Sequence, residues 1–297
     1  MSRTDLYPSR VGGSTQVRER LDPVVQASSE RRRKGPLSAK QLADYETRGF
    51  ERIDDLLSAA EIDRLRTAVQ QLFARRRDDA SSKVVREPGG DDLRSIFEVH
   101  EDEEAVYELV RHPRVLSLAN QILGAPAYVH QSRVNYKPAF TGRPFYWHSD
   151  FETWHVEDGM PRMCAFSISI NLAENRVENG PLMVIPESHH RFVSCAGYTP
   201  QAHYERSLRR QEAGIPPESI IEAMVSDHGL ECATGPVGSS TLFDCNLMHG
   251  SNGNITPFPR TNLFLVFNRV DNALAPPYSG QPPRPQHVAN RSPRPLP

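Results

Sequence analysis

The chain contains 297 residues, of which 35 are lysine or arginine and 37 are aspartate or glutamate, so the formal net charge is −2. So small a net charge provides no general attraction to nucleic acid or to an anionic membrane. The four cysteines form no Cys-x-x-Cys pair, which argues against a zinc ribbon or a thioredoxin-type redox site. No apolar run is long enough for a membrane span or a signal peptide, and we therefore expect a cytoplasmic protein with reduced thiols.

Both ends of the chain are polar. Residues 1–36 end in Arg31-Arg32-Arg33-Lys34, which we interpret as part of a solvated N-terminal tail rather than as a nucleic-acid or targeting signal. Residues 275–297 contain eight prolines. They are predicted to form an extended or disordered C-terminal tail, because proline is excluded from helix interiors and central strands. The residues between the two tails, 37–274, are predicted to form one domain.

The first part of this domain, residues 37–125, is predicted to be helical. Ser58 and Glu61 have the spacing of a capping box, and the apolar residues that follow recur at helical spacing. This pattern predicts a helix over residues 58–77. One or two further helices are expected over residues 104–123.

After residue 125 the pattern changes to short alternating or apolar runs separated by glycine, proline and asparagine, which is typical of antiparallel strands. The runs cover residues 128–137, 164–172, 182–185, 240–243 and 263–270. Helices followed by many short strands favour a mainly β fold over residues 126–274, a sandwich or jelly roll with helices packed on one sheet. Residues 200–226 are predicted to be a helical insertion between strands and a candidate lid.

The first of these strands has an unusually polar face. In regular alternation Gln131, Arg133, Asn135 and Lys137 share one side, opposite Tyr128, His130, Ser132, Val134 and Tyr136. Such a face is usually exposed to solvent, but it can also line the interior of a polar barrel. The strand alone leaves both interpretations open.

Three residues form a candidate metal site. His148-x-Asp150 follows an aromatic run, and residues i and i+2 of a strand project from the same face. A second His-x-Asp pair, His100 and Asp102, lies in an acidic stretch before a predicted helix and is interpreted as solvated. His249, which ends a predicted strand before a tight turn, is the candidate third ligand.

Arg260 favours one chemistry for this triad. Two histidines and one aspartate leave open positions on Fe(II) for a bidentate co-substrate and O₂. A fixed guanidinium can clamp the distal carboxylate of 2-oxoglutarate. The same ligands suit a zinc hydrolase, which has no need of the arginine. A non-catalytic jelly-roll protein with a structural or sensory metal is the third interpretation.

At these residues the chain resembles a known family. The stretches Phe145-Tyr-Trp-His-Ser-Asp-Phe-Glu-Thr-Trp-His155, Asn179–Pro186 and Leu242–Arg260 are similar to those of the ectoine hydroxylases. These enzymes are a branch of the phytanoyl-CoA dioxygenase-like family of Fe(II)/2-oxoglutarate-dependent oxygenases. The resemblance covers about residues 3–271. It implies a double-stranded β-helix (jelly roll, cupin-like) with flanking helices and a homodimer with no nucleic-acid or membrane partner.

The resemblance also implies a reaction and a set of site residues. Ectoine would be hydroxylated to 5-hydroxyectoine, with 2-oxoglutarate and O₂ as co-substrates and succinate and CO₂ as products. Iron would be held by His148, Asp150 and His249, with no catalytic residue beyond the iron centre. The residues implied for 2-oxoglutarate are Phe97, Arg133, Asn135, Ser251 and Arg260. Those implied for ectoine are Gln131, Trp154, Phe243, Asn262, Phe264 and Ser167.

The chemistry of these side chains suits ectoine, which carries a delocalised cation and a carboxylate. Aromatic faces such as Trp154 and Phe264 can hold a flat cationic ring, and amides such as Gln131 can orient its polar edge. The alternative substrate is another small amino or imino acid, bound by a related oxygenase.

Overall fold

The structure is a computed structural model that describes residues 4–297. Its helices are α1 (Ser29–Arg32), α2 (Ala39–Arg48), α3 (Ala59–Arg75), α4 (Val99–Asp102), α5 (Glu104–Val110), α6 (Pro113–Leu123), α7 (Asp150–Thr153), α8 (Tyr204–Ser207) and α9 (Glu218–His228). Its strands are β1 (Gln16–Glu19), β2 (Phe50–Ile53), β3 (Val84–Arg86), β4 (Leu93–Phe97), β5 (Ala127–Lys137), β6 (Phe145–His148), β7 (Ala165–Asn171), β8 (Leu182–Val184), β9 (Arg191–Ser194), β10 (Glu231–Ala233), β11 (Ser240–Asp244), β12 (His249–Ser251) and β13 (Arg260–Arg269). A π-helical turn, Trp154–Asp158, continues α7.

The strands form two main antiparallel sheets. The larger sheet has the order β2-β11-β7-β13-β5-β4-β3, and the smaller has the order β10-β8-β12-β6. One apolar cluster joins them, because Val184 of the smaller sheet packs with Phe243 and Phe264 of the larger. This arrangement, with helices beside the larger sheet, confirms the predicted jelly-roll fold.

The helices cover the outer face of the larger sheet. Alternate residues of β13 (Leu263, Leu265 and Phe267) pack in one buried cluster with residues of α2, α3, α5 and α6. The other residues of β13 point toward the smaller sheet and include Arg260 and Phe264. Both faces of the larger sheet are therefore buried, and the inner one carries the polar groups of the site.

The predicted elements agree with the structure in type, with shifted ends. The capping box of Ser58 and Glu61 begins α3, which ends two residues before the predicted limit. The predicted helical region at 104–123 is divided into α5 and α6, and Pro113 begins the second of these. The insertion at 200–226 contains only the short α8 before α9. Among residues 4–297, no helix is both long and apolar enough to cross a membrane.

A β-bulge changes the facing of residues in β5. Gln131 pairs with Val266 and Val129 with Phe267, so His130 is an extra residue between them. Regular alternation therefore fails there. Tyr128 bonds to Asn268 of the inner face, and His130 packs edge-on against Trp154 with ring centroids 5.0 Å apart. The prediction that Tyr128 and His130 lie on the face opposite Gln131 is wrong.

The N-terminal segment is folded, so the expectation of a solvated tail is also wrong for residues 4–36. Tyr7 and Arg10 are buried, and β1 pairs with β9. The basic run 31–34 lies in and after α1 at the surface, where Arg32 forms an ion pair with Glu46. The partners of Arg10 and of β1 lie far along the chain, so the local composition does not predict that this segment is folded.

The C-terminal segment has no helix or strand, as expected, but it is packed against the domain. β4 pairs with β5 only at residues 133–135, and this leaves the backbone of residues 127–131 unpaired on that side. The C-terminal segment covers this edge: Asn290 N donates to His130 O at 3.0 Å, and Leu296 N donates to Ala127 O at 2.8 Å. The expectation was an extended or disordered tail, whereas the structure shows a packed segment without helix or strand. A single domain over residues 37–274 remains a prediction.

Candidate active site

The three predicted metal ligands meet at one end of the smaller sheet. β6 and β12 are antiparallel neighbours, and their register places His148 opposite His249. The Asp150 carboxylate lies 3.7 Å from Nε2 of His148 and 3.9 Å from Nε2 of His249. The ligand atoms of the three residues all lie within 4.8 Å of one another. This spacing suits a single metal ion.

Asp150 reaches the site by a different route from the one predicted. β6 ends at His148, Ser149 is the N-cap of α7, and Asp150 is the first helical residue. The two ligands therefore lie on a strand end and a helix start rather than on one strand face. The His-x-Asp spacing identifies the residues correctly, but both local structures satisfy it.

The backbone orients both imidazoles. Nδ1 of His148 donates to the Tyr146 carbonyl at 2.6 Å, and Nδ1 of His249 donates to the Leu247 carbonyl at 2.9 Å. A carbonyl oxygen can only accept, so each Nδ1 carries a proton, and Nε2 is the ring nitrogen on the side of Asp150 that could bind a metal ion. Metal-binding histidines commonly have this arrangement.

The charges of the site favour a cation. Burial opposes ionisation of Asp150, but His249, Arg133 and His148 hold the pKa of its carboxyl below the ordinary value. Burial and the neighbouring His249 lower the pKa of His148 to about 4, which keeps its imidazole neutral at pH 7. Oδ2 of Asp150 is buried and has no hydrogen-bond partner among residues 4–297. A buried carboxylate oxygen without a donor is costly, and a bound metal ion would satisfy it.

Two residues of the triad, His148 and Asp150, line a cavity of about 950 Å³ between β5, the π-helical turn and the insertion. The predicted site residues that line it are Phe97, Gln131, Arg133, Asn135, His148, Asp150 and Trp154. The four from β4 and β5 lie on the inner face of the larger sheet. The polar face of β5 therefore lines the interior, and the solvent interpretation is wrong.

Arg260 is a buried cation that has no anionic partner in the described part of the chain. It is 2% exposed, and its one hydrogen bond runs from Nη1 to the Gly180 carbonyl at 2.6 Å. Nε has no partner among the described residues. Burial and the nearby Arg94 lower the pKa of Arg260 to about 10, and no carboxylate opposes this shift. An anion is the group that this position lacks.

The other residues predicted for 2-oxoglutarate lie on neighbouring strands. Ser251 is at the end of β12, where its hydroxyl accepts a hydrogen bond from Lys137 at 3.0 Å. Asn135 accepts a hydrogen bond from Ser95 at 2.8 Å, which fixes its amide in β5. Arg133 donates to the Gln131 side chain and lies over the Phe264 ring at 5.0 Å.

Some of the residues predicted for ectoine surround the metal triad. Trp154 lies on the π-helical turn one helical turn after Asp150. The Phe243 ring is 5.3 Å from the His249 ring and 6.4 Å from Phe264. Gln131 donates to the Val288 carbonyl at 2.6 Å, so the C-terminal segment fixes its amide.

Asn262 and Ser167 are two of the seven predicted site residues that are not among those that line the cavity. Asn262 donates to Ser169 Oγ at 2.9 Å and to Asn171 Oδ1 at 3.0 Å, within a polar cluster of β7 and β13. Ser167 is buried on β7, paired with Phe243 and Val266 in the two neighbouring strands. Their assignment to ectoine remains a prediction.

Sequence reasoning missed five arginines that line the cavity, and two of them, Arg94 and Arg284, have defined partners. Arg94 lies over the Phe145 ring at 3.6 Å and forms an ion pair with Glu87 at 3.0 Å. Arg284, in the C-terminal segment, is bound through two nitrogens to Asp158 at 2.6 and 2.7 Å. The proline-rich segment, predicted only as a tail, therefore contributes a residue to the cavity lining. The local sequence around a single arginine in a proline-rich segment does not predict which residue it contacts.

The sequence and the fold of this chain are similar to those of known proteins. The model of the phytanoyl-CoA dioxygenase (PhyH) family matches residues 45–262. The chain belongs to this family. As a member, it is 49% identical over 292 residues to the ectoine dioxygenase of Stutzerimonas stutzeri (strain A1501), covering 97% of this chain and 95% of that protein.

Two crystal structures of EctD from S. alaskensis are similar to this family member. One contains 2-oxoglutarate and 5-hydroxyectoine and shares 45% identity, and the other contains bound Fe and shares 44%. Each has a TM-score of 0.87 and covers 99% of this chain and 97% of the other.

Proposed function

We propose that this family member is an Fe(II)- and 2-oxoglutarate-dependent dioxygenase that hydroxylates ectoine to 5-hydroxyectoine, with release of succinate and CO₂. The observation that carries the proposal is the convergence of His148, Asp150 and His249 beside a cavity that two of them line, together with the buried Arg260, which has no anionic partner among residues 4–297. The similarity to ectoine dioxygenases over nearly the whole chain supports the choice of substrate.

The triad fits iron. Two imidazole nitrogens and one carboxylate are the ligands of the facial triad, and the unsatisfied Asp150 Oδ2 is a position for the ion. A bound Fe(II) would supply open coordination positions for a keto acid and for O₂, which is the oxidant for hydroxylation. The protein orients Nε2 of both histidines, keeps His148 neutral and buries the carboxylate.

Arg260 would hold the distal carboxylate of 2-oxoglutarate. Its unpartnered Nε and its charge suit a planar carboxylate, and burial strengthens the attraction. Ser251 and Asn135 would add hydrogen bonds, and Phe97 and Arg133 would enclose the co-substrate from β4 and β5. The reacting end would then face His148 and Asp150.

Ectoine would occupy the part of the cavity beside the π-helical turn. The buried Trp154 indole, which His130 holds from one edge, suits a flat cationic ring. Gln131, fixed by Val288, and the rings of Phe243 and Phe264 would complete this side with Asn262 and Ser167. Arg284, a cavity-lining cation of the C-terminal segment that Asp158 holds in place, would meet the ectoine carboxylate.

The test is turnover of the full-length protein loaded anaerobically with Fe(II) and then given 2-oxoglutarate, O₂ and ectoine. We expect ectoine-stimulated succinate formation and a product one oxygen atom heavier than ectoine. Succinate formation that ectoine leaves unchanged would favour the related oxygenase of another small amino or imino acid. A protein that binds metal but forms no succinate would contradict the proposal.

A matched pair of substitutions tests the iron ligands. Asp150→Ala removes one of three ligands and is expected to abolish both Fe(II) retention and hydroxylation. Asp227→Ala, at an exposed site on α9, removes the same charge and should change neither. Iron content after gel filtration gives a readout independent of activity.

The homodimer and the cytoplasmic location stay predictions from the sequence. The four cysteines are free thiols in the structure.

A further inference from the structure

Lys137, at the end of β5, is completely buried. Its Nζ donates to Ser251 Oγ at 3.0 Å, to the Arg143 carbonyl at 3.1 Å and to the Asn252 carbonyl. No carboxylate of residues 4–297 lies within ion-pair distance of it. A buried lysine usually has an anionic partner, so this one requires an explanation.

Two glycines leave space for the Lys137 side chain. A Cβ at Gly142 would lie 2.3 Å from Cγ of Lys137, and a Cβ at Gly180 would lie 2.9 Å from Cδ. The ammonium group also lies 5.4 Å from the centre of the Phe145 ring. Lys137 is therefore enclosed in a fitted channel and its position is fixed.

The surroundings of Lys137 carry excess positive charge. Arg260 is its direct partner in the β5–β13 register, and Arg94 is the second nearby cation. Glu87 is the one carboxylate that attracts Lys137, and it already forms an ion pair with Arg94. Burial, Arg260 and Arg94 lower the pKa of Lys137 to about 6. A bound anion would offset this repulsion and favour the charged form.

The hydrogen bond to Ser251 determines what that hydroxyl can do. When an anion bound nearby keeps Lys137 charged, its ammonium group has donors only, so Ser251 Oγ accepts from Lys137 and its own proton points to another acceptor. The remaining Lys137 donors bind Arg143, in the segment that leads to β6, and Asn252, which follows β12. Lys137 thus links the chain before one metal ligand to the chain after another.

We propose that Lys137 is a positioning residue for 2-oxoglutarate, which holds Ser251 so that its hydroxyl donates to the distal carboxylate and which adds positive charge beside Arg260. This inference rests on the proposed function. It predicts that Lys137 and Ser251 act as one unit in binding the co-substrate, while iron and ectoine binding do not depend on Lys137.

The experiment is an anaerobic calorimetric titration of 2-oxoglutarate into full-length protein loaded with Mn²⁺. Lys137→Met is expected to raise the Kd at least about tenfold, or about 1.4 kcal/mol. Ser251→Ala should also raise it, and the double variant should lose less than the product of the two single effects, since coupled residues are not additive. The KM for ectoine and the affinity for Mn²⁺ should stay at the wild-type values.

Controls separate positioning from a general structural effect. Lys40→Met removes an exposed lysine, 83% exposed at its side chain, and should leave the Kd unchanged. Lys137→Gln keeps a neutral donor for Ser251 and should fall between wild type and Lys137→Met, and it replaces the methionine variant if that one does not fold. A wild-type Kd in Lys137→Gln and Lys137→Met, or fully multiplicative effects with Ser251→Ala, would overturn the inference while leaving the proposed function intact. Failure of the wild-type protein to bind 2-oxoglutarate would overturn both.

Discussion

Arg10 and Arg260 are buried to the same degree, at 3% and 2% exposure, yet their environments are opposite. Arg10 forms ion pairs with Glu152 at 2.6 Å and with Glu157 at 2.5 Å. Burial opposes its charge, but the two carboxylates hold the pKa of Arg10 above its ordinary value. The pKa of Arg260 is lowered instead, because no carboxylate offsets its burial.

The difference distinguishes the framework of the site from its binding surface. Arg10 ties the N-terminal segment to α7 and the π-helical turn, the elements that carry Asp150 and Trp154. Its charge is satisfied within the protein. Arg260 has a charge that the protein leaves unsatisfied, so it is available for an anionic ligand. Burial alone does not separate the two roles, whereas the presence of a partner does.

Removal of Arg10 should have the largest effect, and the effect should be on stability. Arg10→Met leaves Glu152 and Glu157 buried without their cation. Breaking a buried pair in this way costs about 3–5 kcal/mol of unfolding free energy. Urea denaturation of the variant measures it. Arg18→Met, in exposed β1, is the matched control and should lie within about 0.5 kcal/mol of wild type. A similar small loss for Arg10→Met would contradict the structural role.

Removal of Arg260 should have the opposite pattern. Arg260→Met removes a cation that the unliganded protein does not compensate, so unfolding free energy should change little. The variant should lose the charge-assisted hydrogen bonds to 2-oxoglutarate, at about 1.5–3 kcal/mol, or roughly 10- to 150-fold in Kd. Titration of 2-oxoglutarate into Mn²⁺-loaded protein measures this change. Large destabilisation with an unchanged Kd would show that Arg260 belongs to the framework.

The sequence was sufficient where the signal is local. The capping box of Ser58 predicts where α3 begins, and the polar alternation of Gln131, Arg133 and Asn135 correctly identifies one face of β5. Whether that face contacts solvent or the interior could not be predicted from β5 itself, because a solvated face and a polar interior have the same alternation. The His148-x-Asp150 spacing likewise identifies the ligands but not the helix start that presents the second one.

The sequence was insufficient where a residue depends on a distant partner. Arg10 lies 142 residues from Glu152, and Arg284 lies 126 residues from Asp158. Both arginines occur in polar or proline-rich segments that predict tails, so nothing local indicates burial. The bulge at His130 is a further case, since the extra residue is defined only by pairing with β13.

The smallest expected effect concerns His130, which lies between the paired charges around Arg10 and the metal triad. Neither ring nitrogen has a hydrogen-bond partner among residues 4–297, and Nε2 lies 3.8 Å from Oδ2 of Asp158. Burial, with Arg284 next in effect, lowers the pKa of His130 to about 3. The folded protein therefore keeps this imidazole neutral, whereas the unfolded chain takes up a proton as pH falls below about 6.5.

The sign of the pH effect follows from this difference. A group whose pKa is lower in the folded state costs stability as pH falls from about 6.5 toward 3, by at most about 1.4 kcal/mol per pH unit. His130→Gln should therefore reduce the slope of unfolding free energy against pH between pH 6 and 4.5, whatever its effect at pH 7. Urea denaturation across this range measures the slope. His228→Gln, at an exposed position on α9, is the control. An unchanged slope in His130→Gln would mean that Asp158 keeps the pKa of this histidine near its ordinary value in the folded protein. His130, which packs against Trp154, would then be paired like Arg10 rather than unpaired like Arg260.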